Sequence, residues 1–154
     1  MVAERSKREC LAETEFLFGL RKGDRHHSAV TKILDACISG LVDIQILSSA
    51  VVEVKAVLYS RGLKPHEVEE TCSLMDAQLV EAGITGYVAT TLSDAIVSER
   101  LREQHPDLTF FDALHLAIAR RLDKPLLSND LVIKEAEPRS IMFQELIDKL
   151  SIPR

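Results

Sequence analysis

Four carboxylates, Glu13, Glu53, Asp112 and Asp130, stand far apart in the chain, yet each falls beside the boundary of an expected element. Oxygen-only ligand sets favour hard cations such as Mg²⁺ or Mn²⁺, which keep several waters when bound. No His/Cys ligand set accompanies the acids. Cys10, Cys37 and Cys72 are scattered and odd in number, so neither a zinc site nor a disulfide framework is indicated. Two like charges about 4 Å apart repel by roughly 4 kcal/mol at an effective dielectric near 20. Four in one pocket must raise their proton affinity or recruit a cation. A cation held this way suits phosphodiester hydrolysis, because it activates water and neutralises charge in the transition state. Such chemistry needs no covalent nucleophile.

Whether the acids meet depends on the elements that carry them. Cys10-Leu11-Ala12 reads as a first strand, beginning near Lys7, and Phe16 to Leu20 as a short helix. Val30, Ile33, Leu34, Cys37 and Ile38 recur at helical spacing within a helix from about His27 to Ser39, and Gly40 stops it. Val42 to Leu47 alternates apolar and polar residues and is the second strand. Ser48 and Ser49 are expected to cap a helix from Ala50 to about Ser60, and Pro65 opens another running to about Ala82. A third strand is predicted over Ile84 to Val88, a helix from about Thr91 toward Glu103, and a strongly apolar helix over Phe110 to Leu122. Pro125 to Leu127 is a fourth strand, followed by a short helix after Asp130. Ser140 to Met142 is a fifth strand, and Phe143 to Leu150 a closing helix.

Strands alternating with helices predict a three-layer α/β/α domain around a mostly parallel sheet of about five strands. The whole chain, 1–154, reads as one domain without linker or repeat. In such sheets ligands bind outside the carboxyl ends of the strands. Glu13 follows the first strand, Glu53 lies early in the helix after the second, and Asp130 follows the fourth. Asp112 sits in the first turn of a helix that runs antiparallel to the strands, so it begins at the same edge. One rim is expected to collect all four.

Composition sets the remaining bounds. With 46% hydrophobic and 28% charged residues the balance is globular, and without tryptophan the core must be aliphatic. No apolar run approaches the roughly 20 residues of a membrane span. The charged opening Met1 to Arg8 leads into no signal-like stretch, so the chain reads as cytoplasmic. A formal net charge of -5 argues against a simple cationic clamp on nucleic acid. An acidic protein acting on phosphates needs a metal or a local basic patch, and Arg21, Lys22 and Arg25 are the candidate patch. Each acid also has an ordinary reading. Asp112 with Thr109 outlines a capping box, Asp130 suits a helix start, and Glu53 and Glu13 read as solvated surface residues. Convergence on one rim, together with the sequence around each acid, decides for a site.

Four segments carry a resemblance to a known family. They are Leu11-Ala12-Glu13-Thr14-Glu15-Phe16-Leu17, Ser49-Ala50-Val51-Val52-Glu53, Phe111-Asp112-Ala113-Leu114-His115-Leu116-Ala117 and Leu126-Leu127-Ser128-Asn129-Asp130. In this order and at these intervals the chain resembles the PIN-domain family over nearly its full length. The resemblance implies a parallel sheet of about five strands and a Mg²⁺- or Mn²⁺-dependent endoribonuclease, either the toxin of a toxin–antitoxin pair or an RNA-processing enzyme. It implies Glu53, Asp112 and Asp130 as metal-site acids, with Ser128 at the family's hydroxyl position and Thr14 matching the threonine after the first acid. A homodimer and an antitoxin-like protein partner are implied as well. The departure is Glu13-Thr14-Glu15, where the family opens Asp-Thr-Asn. The extra methylene moves the carboxylate by over 1 Å, and misplacement of that size can cost on the order of a hundredfold in rate. The alternative is therefore a weak or inactive PIN-like module that binds RNA or protein. A hydrolase of small nucleotides ranks last, since no Gly-rich phosphate loop is present.

Overall fold

The run Cys10-Leu11-Ala12 carries no polar residue, and a strand without a polar face must lie inside a sheet that is covered on both sides. In the computed structural model, which describes residues 6–151, it does so. β1 (Arg8–Ala12) pairs in parallel with β2 (Val42–Leu47) on one side and β4 (Leu126–Leu127) on the other, and β3 (Gly86–Val88) pairs in parallel with β2. Among the described residues the sheet is four-stranded, in the order β3-β2-β1-β4.

Helices α1 (Thr14–Gly19) and α2 (His27–Ile38) connect β1 to β2. Helices α3 (Ser48–Ser60) and α4 (Pro65–Glu81) lead to β3, and α5 (Leu92–Gln104) and α6 (Phe110–Leu122) lead to β4. Helices α7 (Leu131–Ala136) and α8 (Phe143–Ser151) follow. This is the three-layer α/β/α arrangement. From β1 the chain steps outward through β2 to β3, then crosses back to add β4 on the other side of β1. Connections leaving neighbouring strands in opposite directions open a crevice at their carboxyl ends. Here that point lies between β1 and β4.

The expected second strand and the expected apolar helix have the predicted bounds, and the differences elsewhere have local causes. Helix α1 starts earlier than expected because Glu13 caps it, its Oε2 accepting from the Glu15 amide at 3.2 Å. β3 is short because the Ile84 amide is spent on Leu79 O of α4, at 2.8 Å. The fifth strand reduces to one parallel bridge between Leu127 and Ile141. Met142 O already accepts from Leu146, so the next residues are committed to α8. Ser48 and Ser49 lie inside α3 and do not cap it, because Leu47 is the N-cap and forms no side-chain bond there.

The core is aliphatic, as the composition requires, with Phe16 and Phe143 packed edge to face at 6.2 Å between centroids. Helix α6 buries Ala113, Leu116, Ala117, Ile118 and Ala119, so its small residues let it lie close under its neighbours. Leu116 is fully buried. Leu116→Ala is expected to lower unfolding free energy by about 3 kcal/mol in urea titration, the usual cost of such a cavity. A loss under about 1 kcal/mol would mean that α6 is not a core helix.

Candidate metal centre

Each acid reaches the rim by way of the element it begins or ends. Glu13 directly follows β1 and caps α1; Asp130 comes shortly after β4 and caps α7, its Oδ1 accepting from the Val132 amide at 2.8 Å. Asp112 completes a capping box at the head of α6: Thr109 Oγ1 accepts from the Asp112 amide at 3.2 Å, and Asp112 Oδ2 accepts from the Thr109 amide at 3.3 Å. The ordinary readings of Asp112 and Asp130 therefore hold as well. The two roles are compatible, because a cap bond occupies one carboxylate oxygen, fixes the rotamer and leaves the other oxygen free. Glu53 projects from the second turn of α3.

All four line one cleft of about 290 Å³, together with Thr14, Glu15 and Arg61. Glu13 is buried, with only 3% of its surface exposed, and its Oε1 meets no hydrogen-bond donor among the described residues. Burial pushes its carboxyl well above the ordinary range, and the charges of Glu15, Glu53 and Asp112 push the same way. Asp112 is also raised, by burial and then by Asp130, against the lowering pull of its Thr109 bonds. Glu53 behaves differently. Burial opposes its charge, but hydrogen bonds from His115 and Thr14 outweigh that and hold it below its usual value.

The bonds to Glu53 form a chain. Thr14 Oγ1 donates to Glu53 Oε2, and His115 Nε2 lies 2.9 Å from the same oxygen. On the far side of the fully buried ring, Nδ1 lies 2.9 Å from Ser49 Oγ. With the proton on Nε2, the ring donates to Glu53 and accepts from Ser49, so every polar atom is satisfied; this tautomer is assigned from the network. Glu13, Glu53 and His115 each offer a ligand atom within 4.8 Å of the others. Both ring nitrogens are already bonded, so His115 acts here by orienting and ionising Glu53.

The donor set fits a hard divalent cation on two counts: the free acidic atoms are all oxygens, and one of them, Glu13 Oε1, is buried with nothing to neutralise it. Ser128 is buried behind the rim, and its Oγ accepts from the Asp130 amide at 3.1 Å, fixing the turn that presents Asp130.

The proposed basic patch stands apart from the acids. Arg21 and Lys22 are exposed and line a separate groove of about 500 Å³ with His27, Leu74 and Met75. Arg25 reaches the cleft margin indirectly: its Nε lies 3.1 Å from His26 Nε2, itself 3.5 Å from Glu15 Oε2. Sequence reasoning missed the Ser49–His115 link and Arg61. A signal for the first existed, since Ser49 and Glu53 are four residues apart on a helix and Asp112 and His115 three apart, so each pair shares a face.

No family model matches the chain, and no curated protein does. Solved structures match over nearly the full chain. One is PAE2754 from Pyrobaculum aerophilum, at 16% identity and TM-score 0.64, covering 94% of this chain and 98% of that one. Another is VapBC2 from Rickettsia felis, solved bound to a DNA fragment from its promoter. It matches at 17% identity and TM-score 0.63, over 87% of this chain and 96% of that one. A toxin–antitoxin complex from Klebsiella pneumoniae matches at 18% identity and TM-score 0.60, over 87% and 97%. At such identities the likeness establishes the fold, and the fold is PIN-like.

Proposed function

We propose that the chain is a divalent-metal-dependent endoribonuclease that hydrolyses phosphodiester bonds in RNA. The observation that carries this reading is the cleft itself. Five carboxylates, Glu13, Glu15, Glu53, Asp112 and Asp130, share its wall with a single cation, Arg61, among the described residues. That balance is costly for a folded protein unless a cation settles there.

Glu13, Glu53, Asp112 and Asp130 would hold Mg²⁺ or Mn²⁺. The ion, when bound, supplies Lewis acidity toward water and the phosphoryl oxygens. The chain's own residues do the rest. His115 and Thr14 keep Glu53 ionised and fixed in one rotamer. The Thr109 amide holds the Asp112 carboxylate, and Ser128 holds the turn of Asp130. Such preset ligands lose little freedom on binding, which is what a precise site requires. Glu13 supplies the unpartnered Oε1.

RNA as substrate rests on the PIN-domain resemblance of the four sequence segments, joined to this acid set. The fold likeness supports an antitoxin-like protein partner, since two of the similar structures are VapBC2 and a toxin–antitoxin complex; in this reading the chain is a cytoplasmic toxin that acts as a homodimer. Among the described residues no helix is long and apolar enough to cross a membrane. One observation favours the second reading, a PIN-like module that binds RNA or protein without cutting. Glu15 stands where the family has an amide, and its charge raises Glu13 further. Cleavage of single-stranded RNA in Mn²⁺, abolished by a chelator, separates the two. Absence of any metal-dependent product leaves the binding role.

A further inference from the structure

Glu53, Val57 and Arg61 follow one another at four-residue intervals along α3, and all three line the acidic cleft. Four-residue steps keep side chains on one helix face, and eight residues carry the stripe roughly 12 Å along the axis at 1.5 Å per residue. Arg61, the C-cap residue of α3, therefore sits at the far end of the same cleft from the acid cluster. It is the only cation among the cleft's described residues, and no described carboxylate holds its guanidinium in an ion pair. Its guanidinium carbon lies 4.9 Å from the centre of the half-buried Phe18 ring, which also lines the cleft.

This arrangement is not that of a counter-ion for the acids. Stacking on an aromatic face holds a guanidinium flat and at little entropic cost while its N–H edge stays free. A planar fork of donors beside a cleft that would cut a phosphodiester matches a phosphate in both charge and geometry. We propose that Arg61 binds a non-bridging phosphate oxygen of the RNA strand, at a position flanking the bond to be cut, with Phe18 as the surface that holds the guanidinium in place. The inference rests on the nuclease reading for the identity of the strand. Arg61 thereby sets the strand's path through an otherwise repulsive cleft and takes no part in the chemical step.

The test is binding of a fluorescent oligouridylate by the full chain in chelator, so that nothing is cleaved, followed by fluorescence anisotropy across a salt series. Arg61→Gln is expected to weaken binding by about tenfold and to reduce the slope of log affinity against log salt by about 0.7, the value for one phosphate contact on a single strand. Arg61→Lys, which keeps the charge but loses the stacked fork, should recover the slope and only part of the affinity. Phe18→Leu should weaken binding with the slope unchanged. Equal affinity and slope for wild type and Arg61→Gln would overturn the proposal, as would failure of the wild-type chain to bind the oligomer. Metal-dependent cleavage is scored separately, so the nuclease reading can stand while the Arg61 contact falls, and the reverse.

Discussion

Asp112→Asn is expected to leave the protein folded and to lower Mn²⁺-dependent cleavage of single-stranded RNA by at least about a hundredfold. The substitution is nearly isosteric, and an asparagine oxygen can still accept from the Thr109 amide, so the capping box that starts α6 survives. What disappears is a negative charge in a half-buried wall of the cleft, where charge interacts strongly with a bound cation. Loss of one preset charge-stabilising group in a site of this kind typically costs two to three orders of magnitude in turnover. The measurement is a single-turnover rate on a defined RNA, with thermal melting as the control for folding. Activity that survives the change within a few fold would assign the cleavage to another site or to a contaminant.

Glu13→Gln is expected to stabilise the metal-free protein at neutral pH. Glu13 is buried, its Oε1 is unpartnered, and its carboxyl is raised first by burial and then by neighbouring charges. An acid whose folded-state pKa lies above its unfolded value near 4.5 binds the proton more tightly in the folded protein. Below the unfolded value both states are protonated and nothing is lost. As pH rises from there through the folded value, the wild-type chain loses stability, and above it the full cost remains. Glutamine never ionises, so the variant escapes that loss. The gain should be read as a higher Tm for the variant at pH 7.5 without metal. The advantage of the variant should shrink as pH falls toward 4.5 and should reverse in saturating Mn²⁺, which stabilises only the chain that binds it. A variant less stable than wild type at pH 7.5 without metal would mean that the Glu13 charge is already compensated.

Much of this was legible in the residues. β2 and α6 carry patterns with one reading, the alternation of Val42 to Ile46 and the apolar run after Thr109, and both have the predicted bounds. Placement of the acids needed only the alternation of strands with helices and the rule that sites form at strand carboxyl ends. The remainder depended on where individual amides and carbonyls are spent. The loss of the fifth strand to α8 turns on Met142 O, and the late start of β3 turns on the Ile84 amide; neither preference shows in residue type. Ser48 and Ser49 looked like caps because serine usually caps, but Ser49 is drawn to the buried ring of His115, sixty-six residues away. Arg61 carried no signal at all. Its place beside Phe18 exists only once α1 and α3 are folded together.

The most direct test of the central claim, that acids from distant segments form one cation site, is calorimetric titration of the metal-free chain with Mn²⁺ at two buffer ionisation enthalpies. Saturable binding is expected, with protons released on binding because burial holds Glu13 well above its ordinary value before the ion arrives. Binding should weaken at least tenfold in Asp112→Asn. A wild-type chain that shows no binding heat at millimolar Mn²⁺ at either buffer would contradict the account.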